Sequence, residues 1–154
     1  MGVVIELPGH AAIELTDLVL DFNGTLARDG ALQPGVAKRV TRLAARLRVT
    51  VMTADTHGTA RRELAGLPLT VELARNGEAK ADLVRTLDPE HTAAIGNGRN
   101  DVAMVRLAAL GIAVLGVEGA AGELLRVADV VTTDVNDALD LLADPLRLVA
   151  TLRD

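Results

Sequence analysis

Four stretches of this 154-residue chain carry side chains whose types could do chemistry together. The first is Leu18-Val19-Leu20-Asp21-Phe22-Asn23-Gly24-Thr25-Leu26, an apolar run that ends in a carboxylate and a Gly-Thr turn. The others are Thr53-Ala54-Asp55, Lys80, and Gly96-Asn97-Gly98-Arg99-Asn100-Asp101. A carboxylate, a hydroxyl, an ammonium and a second carboxylate suit phosphoryl transfer. A carboxylate is a modest nucleophile, so the phosphorus must be made electrophilic by positive charge and hydrogen bonds. On this reading Asp21 is the acceptor, Lys80 neutralises the phosphate and Thr53 donates to one of its oxygens. Backbone N–H groups around Phe22, Asn23 and Gly24 are expected to form a small anion cradle. A Mg²⁺ ion is expected to bridge Asp21 and the phosphate, with oxygen ligands from the Asn97–Asp101 loop.

Each residue also has a plainer reading. Asp21 alone is a turn aspartate after a core strand. Thr53 can simply end a strand, and Lys80 can be a solvated helix charge. The glycine loop can be a helix start, with Asp101 favourable to the dipole. Asp55 reads as a helix cap and Arg99 as an exposed loop residue, and His10, His57 and His91 fit no motif. What favours the chemical reading is position, which depends on the elements.

Residues 17–21 read as a buried strand, and in open α/β sheets ligands gather at strand carboxyl ends. Upstream, residues 3–7 and 11–15 flank Pro8-Gly9-His10 and predict a hairpin. After a loop through Arg28-Asp29-Gly30, Pro34 opens a helix in which Val36, Val40, Leu43, Ala44 and Leu47 recur with helical spacing. Residues 48–53 predict the second core strand. Asp55 or Thr56 then caps a helix running to about Gly66. A strand near 69–73 and a helix over 77–87 follow. Further strands are predicted at 92–95, 112–117 and from 130, and helices at 102–110, 122–128 and 135–142, with a terminal helix after Asp144-Pro145. Gly111 is expected to stop the 102–110 helix as a C-terminal cap. Strands alternating with helices predict an α/β three-layer, Rossmann-like fold with a mostly parallel central sheet. Residues 1–154 then form a single core domain, with 1–16 as an N-terminal hairpin addition. Parallel strands bring all four stretches to one sheet edge.

Composition narrows the function. The apolar fraction is 49% and the charged fraction 24%, as in an ordinary globular core. There is one Phe and no Trp or Tyr, and the net charge is −5. Base stacking and phosphate-backbone binding are both disfavoured, so no nucleic-acid partner is expected. The absence of cysteine excludes thiolate metal sites and a Cys nucleophile. No leader pattern and no run long enough to span a bilayer is read, so a cytoplasmic protein without a membrane partner is expected. Lysine occurs only at 38 and 80 against fourteen arginines, which hints that a compact point charge is wanted at Lys80.

Asp21-Phe22-Asn23-Gly24-Thr25, Thr53, Lys80 and the loop ending Asn100-Asp101 resemble, in order, the four motifs of the haloacid dehalogenase superfamily. Thr53-Ala54-Asp55 and Ile95-Gly96-Asn97-Gly98-Arg99-Asn100-Asp101-Val102-Ala103 further resemble the phosphorylation domain of P-type ATPases, closest to the small soluble P-type-ATPase-like proteins. The resemblance spans residues 18 to about 131. It implies a Mg²⁺-dependent phosphohydrolase or phosphotransferase working through an aspartyl-phosphate on Asp21, with Asn23, Thr53 and Lys80 as the other catalytic positions. It implies phosphate contacts from Phe22, Asn23, Gly24, Thr53, Ala54 and Lys80, and metal contacts from Asp21, the Asn23 carbonyl, Asn97 and Asp101. The chain has no room for an inserted nucleotide-binding or cap domain between these motifs, which implies an open site, a large phosphorylated substrate or a cover built by a homo-oligomer.

Two positions depart from the pattern. Asn23 stands where most family phosphatases carry an aspartate that protonates the leaving group and activates water. An amide has no titratable proton, so the expected loss is about 10²–10⁴ in rate for a poor leaving group. Asn97 stands where the family has a metal-binding aspartate, and it brings an oxygen but no charge. A slow enzyme is therefore the first expectation. A phosphate-binding or regulatory protein that has lost turnover is the alternative.

Overall fold

A computed structural model describes residues 1–55 and 57–154. Its centre is a six-stranded, all-parallel sheet in the order β10-β9-β8-β3-β6-β7. The strands are β3 (Asp17–Asp21), β6 (Arg48–Thr53), β7 (Thr70–Leu73), β8 (Thr92–Gly96), β9 (Leu110–Val114) and β10 (Val130–Thr132). Strand β3 is buried along its whole length, as an unbroken Leu-Val-Leu run between two layers requires. Its side chains alternate. Leu18 and Leu20 join the core under α1 (Val36–Ala44), α2 (Thr59–Glu63), α6 (Val135–Ala143) and α7 (Leu146–Leu152). Val19 joins the opposite core, under α3 (Gly77–Leu87), α4 (Val102–Leu107) and α5 (Gly122–Val127). The period of two therefore turns Asp21 toward the α3 layer. That is the layer which carries Lys80.

Chain order fixes where the crevice lies. From β3 the chain moves outward through β6 to β7, then returns by α3 to β8 on the other side of β3. Strand order reverses beside β3, and the carboxyl end at such a reversal is where open α/β sheets place their ligand crevice. Asp21 is the last residue of that strand.

The expected hairpin is present as β1 (Val3–Ile5) paired antiparallel with β2 (Ile13–Leu15), forming a separate two-stranded sheet packed on the α7 side. The loop after Asp21 holds an unanticipated two-stranded ribbon, β4 (Ala27–Arg28) with β5 (Ala31–Leu32), whose strands are too short to show a period. No domain is inserted between β3 and β6, and only Ala74, Arg75 and Asn76 separate β7 from α3.

Several boundaries differ from the sequence reading; the strand expected over 112–117 runs instead from Leu110 to Val114, and the helix expected to reach Gly66 ends at Glu63. The helix expected over 102–110 ends at Leu107, and Leu110 and Gly111 belong to β9. Gly111 does not cap the helix. It lies in the strand, and glycine is needed there because a Cβ would collide with Val105 packed over it. The helix expected from residue 55 begins at Thr59. Asp55 still supports its start, accepting from Ala60 N at 2.7 Å and His57 N at 3.1 Å. The alternative cap, Thr56, lies outside the described residues.

Candidate active site

Lys80 is the centre of the site. It stands in the first turn of α3, a helix capped by Asn76 Oδ1, which accepts from Ala79 N at 2.8 Å. The side chain is 1% exposed and points beneath the crevice. Its Nζ donates to Asp21 Oδ1 at 2.8 Å and to Asp101 Oδ1 at 2.7 Å. A lysine buried this deeply is tolerated because both carboxylates answer it. Burial works against its charged form. The neighbouring Asp21 and Asp101 charges and their hydrogen bonds outweigh that and hold the ammonium above its ordinary range.

Asp21 is held at both oxygens. Its second oxygen, Oδ2, accepts from Thr25 Oγ1 at 3.0 Å, and the same hydroxyl lies 3.2 Å from Asn97 Oδ1. Burial, then the nearby Asp101 charge, push the Asp21 carboxyl up from 3.8 to about 6, against the opposing pull of Lys80 and Thr25. Thr25 was legible in the motif but was not assigned a role. It is fully buried and ties the turn after β3 to the glycine loop.

Thr53 ends β6, next to β3, one residue past the Asp21↔Met52 register pair. Its Oγ1 accepts from Asp55 N at 3.1 Å, which orients the hydroxyl and leaves its proton for another acceptor. Ala54 and Asn23 are exposed at the crevice rim, and Phe22 is buried beneath it.

Two expectations change. The first is the anion cradle: Gly24 N–H already donates to Ala27 O at 3.0 Å, closing the turn that also returns Leu26 and Ala27 N–H to Phe22 O. Gly24 therefore serves the turn, with φ at 76°, and its N–H is committed away from any bound anion. The second is Asp101 as a direct metal ligand. Its Oδ1 accepts from Lys80, and its Oδ2 accepts from Asn97 N and Gly98 N, each at 3.0 Å. It is fully buried, and Gly96 lacks a side chain because a Cβ there would strike the Asp101 carboxylate. This carboxylate braces the loop and Lys80 and presents no free oxygen to the crevice.

The oxygens that do converge are Asp21 Oδ2 and Asn97 Oδ1 on the Thr25 hydroxyl, close to the exposed turn at Asn23. Among the described residues no group of three or more His, Cys, Asp or Glu side chains could hold a metal ion. One carboxylate with amide oxygens fits a hard cation that keeps water and substrate oxygens in its shell. It does not fit a transition metal that needs imidazole or thiolate.

Comparison with known proteins gives a consistent picture. A family model described as haloacid dehalogenase-like hydrolase matches residues 71–140, the stretch holding Lys80, Asn97 and Asp101. Two uncharacterised proteins of Methanocaldococcus jannaschii are similar. One is 52% identical over 61 residues, covering 40% of this chain and 66% of that protein. The other is 44% identical over 39 residues, covering 25% of this chain and 89% of that protein. The chain thus spans just under two thirds of the first of these. Among solved structures, the 3-deoxy-D-manno-octulosonate 8-phosphate phosphatase of Moraxella catarrhalis, in complex with magnesium, phosphate and KDO, superposes with a TM-score of 0.72 at 18% identity. That match covers 88% of this chain and 90% of the other. The cobalt-bound deoxy-D-mannose-octulosonate 8-phosphate phosphatase of Haemophilus influenzae superposes at 0.70 and 17%, covering 90% and 91%. At these identities the likeness is one of fold.

Proposed function

The chain belongs to the haloacid dehalogenase-like hydrolases, and we propose that it transfers phosphoryl groups through Asp21. The observation that carries this is the buried Lys80, bonded at once to Asp21 and Asp101 directly beneath the crevice. A lysine present for stability alone has little to gain from so deep a position, because desolvation offsets much of the attraction to the two carboxylates. An ammonium placed to meet a phosphate gains from it.

In the proposed reaction an Asp21 oxygen attacks phosphorus as the bond from phosphorus to the leaving oxygen breaks, and the leaving group departs with that electron pair. Lys80 compensates the charge on the phosphoryl oxygens, and Thr53 donates its free hydroxyl proton to one of them. Water then attacks phosphorus as the bond from phosphorus to the Asp21 oxygen breaks; the electron pair returns to Asp21, and the proton of the water leaves with the phosphate product. A divalent cation, Mg²⁺ on the donor chemistry, would be held by Asp21, Asn97 and the Asn23 carbonyl; when bound it supplies charge neutralisation at the phosphoryl oxygens. The magnesium and phosphate in the Moraxella catarrhalis structure support this choice by analogy.

Asn23 limits the scope. It sits at the exposed rim, where a leaving group would pass, and an amide can neither donate a proton to that group nor take one from water. The reading therefore favours phosphoanhydrides, acyl phosphates and aryl phosphates, whose leaving groups depart unaided. With no inserted domain over the crevice, the substrate can be large. Likeness to the soluble P-type-ATPase-like proteins belongs to the same proposal.

The test is a hydrolysis screen across phosphoanhydride, acyl, aryl and alkyl phosphates with Mg²⁺, with a Mg²⁺–BeF₃⁻ adduct on Asp21 as the measure of phosphoenzyme competence. Turnover of alkyl phosphates as fast as p-nitrophenyl phosphate would contradict the reading. A related expectation concerns Asn23→Asp, which restores a titratable group at the rim. It should raise alkyl phosphate turnover by about 10²-fold while changing aryl phosphate turnover far less, measured as kcat on both substrates.

A further inference from the structure

The loop from β9 to α5 brings a carboxylate to the crevice that no motif assigns. Residues 115–121 form a turn in which Gly119 N donates to Gly116 O at 2.9 Å, with Gly119 at a φ of 71°. The turn is tied to Asn97 twice. Ala121 N donates to Asn97 O at 2.8 Å, and Asn97 Nδ2 donates to Gly119 O at 3.3 Å. Glu118 sits in this turn and is exposed to solvent. Its carboxylate is laid against Gly24: a Cβ added to Gly24 would collide with Glu118 Oε2 and would meet Asn97 Nδ2 at 2.7 Å. One point on the Asp21 turn is thus crowded by both the Glu118 carboxylate and the Asn97 amide. The loop's own hydrogen bonds run through its backbone and Asn97, and among the described residues none engages the Glu118 oxygens.

The charge balance of this corner is unfavourable as it stands. Asp21 and Asp101 share one cation, Lys80, and Glu118 adds a third carboxylate beside an amide that carries no charge. The Asn97 amide nitrogen attracts this carboxylate, but its partial charge does not balance a third full negative charge. A divalent cation between Asp21 and Asn97 reverses the sign of that argument.

We infer that Glu118 is the second anionic group of the cation site, lending from the β9–α5 turn the negative charge that the Asn97 amide lacks. The inference rests on the proposed cation-dependent reading of the crevice and adds a residue to it. It gives the rigid tie between Asn97 and the turn a purpose, since Asn97 and Glu118 would move together. It also accounts for Gly24 beyond its turn geometry, because any side chain there would displace the carboxylate.

The test is calorimetric titration of the intact protein with Mn²⁺ as the probe, without substrate, for wild type, Glu118→Gln, Glu123→Gln and the double variant Glu118→Gln, Asn97→Asp. Glu123 is a nearby exposed glutamate on α5, 3.8 Å from Arg99, and controls for general surface charge. Glu118→Gln is expected to weaken Mn²⁺ binding by about tenfold or more. Glu123→Gln should leave it unchanged, and the double variant should regain the wild-type affinity. Melting temperatures without metal should match, since the glutamine is isosteric and exposed. Equal affinity in wild type and Glu118→Gln, or a loss that Asn97→Asp does not restore, overturns the inference and spares the parent reading. A wild type that binds no Mn²⁺, alone or with BeF₃⁻, overturns both.

Discussion

Lys80→Met is expected to cost about 3–5 kcal/mol of folding stability at neutral pH, a large share of what a domain of this size possesses. Methionine fills much of the lysine volume, so the cost is electrostatic. Asp21 and Asp101 stay buried, face each other and lose the one ammonium that answers both. Removing one partner of a buried charge network is costly because the remaining charges are left uncompensated. The same logic predicts a remedy. Adding Asp101→Asn to Lys80→Met removes one carboxylate, and should recover part of the loss despite being a second change in the same core. Acidification should help the single variant too, since protonating a carboxylate removes the repulsion. Urea denaturation of wild type, single and double variants at neutral and mildly acidic pH measures all three effects. A Lys80→Met protein as stable as wild type at neutral pH would mean that the network is solvated rather than buried. Phosphoryl transfer should fall in every one of these variants, because no cation is left beneath the phosphate.

The second large effect belongs to Asp21→Asn. If Asp21 is the phosphoryl acceptor, turnover of the best substrate should drop by about 10³-fold or more and the BeF₃⁻ adduct should vanish. The pH behaviour separates this from a general loss of structure. The Asp21 carboxyl is pushed up to about 6 by burial and by Asp101. Without bound cation, the wild-type Asp21 carboxyl is therefore protonated below that value and becomes the ionised nucleophile above it. Stability runs the other way. A carboxyl raised in the folded state binds its proton more tightly there than in the unfolded chain. Its contribution is neutral below pH 4, and becomes destabilising as pH climbs from about 4 through about 6. The full difference is on the order of 3 kcal/mol. Asp21→Asn cannot titrate, so its stability profile should be flatter across that window than the wild-type profile. Denaturation of both proteins from pH 4 to pH 8 tests this, and parallel profiles would count against the raised carboxyl.

These expectations rest on features of unequal visibility in the sequence. The βα alternation was legible because burial leaves a period behind it: Val36, Val40 and Leu43 mark one helix face, and Leu18, Val19 and Leu20 form an unbroken core strand. Parallel strands share a carboxyl edge, so Asp21, Thr53 and the glycine loop could be brought together from strand ends alone. Lys80 could be placed in the first turn of its helix for the same reason. Short or tightly packed pieces were not legible. The β4–β5 ribbon has strands of two residues, and Gly111 reads as a helix cap until the Val105 side chain is seen lying where its Cβ would be.

The layered fold, the identity of the carboxylate at its central strand end, and the kind of chemistry that carboxylate could share with a hydroxyl and an ammonium were all legible in the chain alone. Those follow from residue type and period, which are local. Only the tertiary structure decided how the polar groups are spent. Asp101 commits its oxygens to Lys80 and two loop N–H groups, Gly24 commits its N–H to Ala27, and Glu118 arrives from a turn far along the chain. Hydrogen bonding is a competition among every donor and acceptor that folding brings within reach. Its outcome is set by three-dimensional neighbours that no stretch of sequence contains.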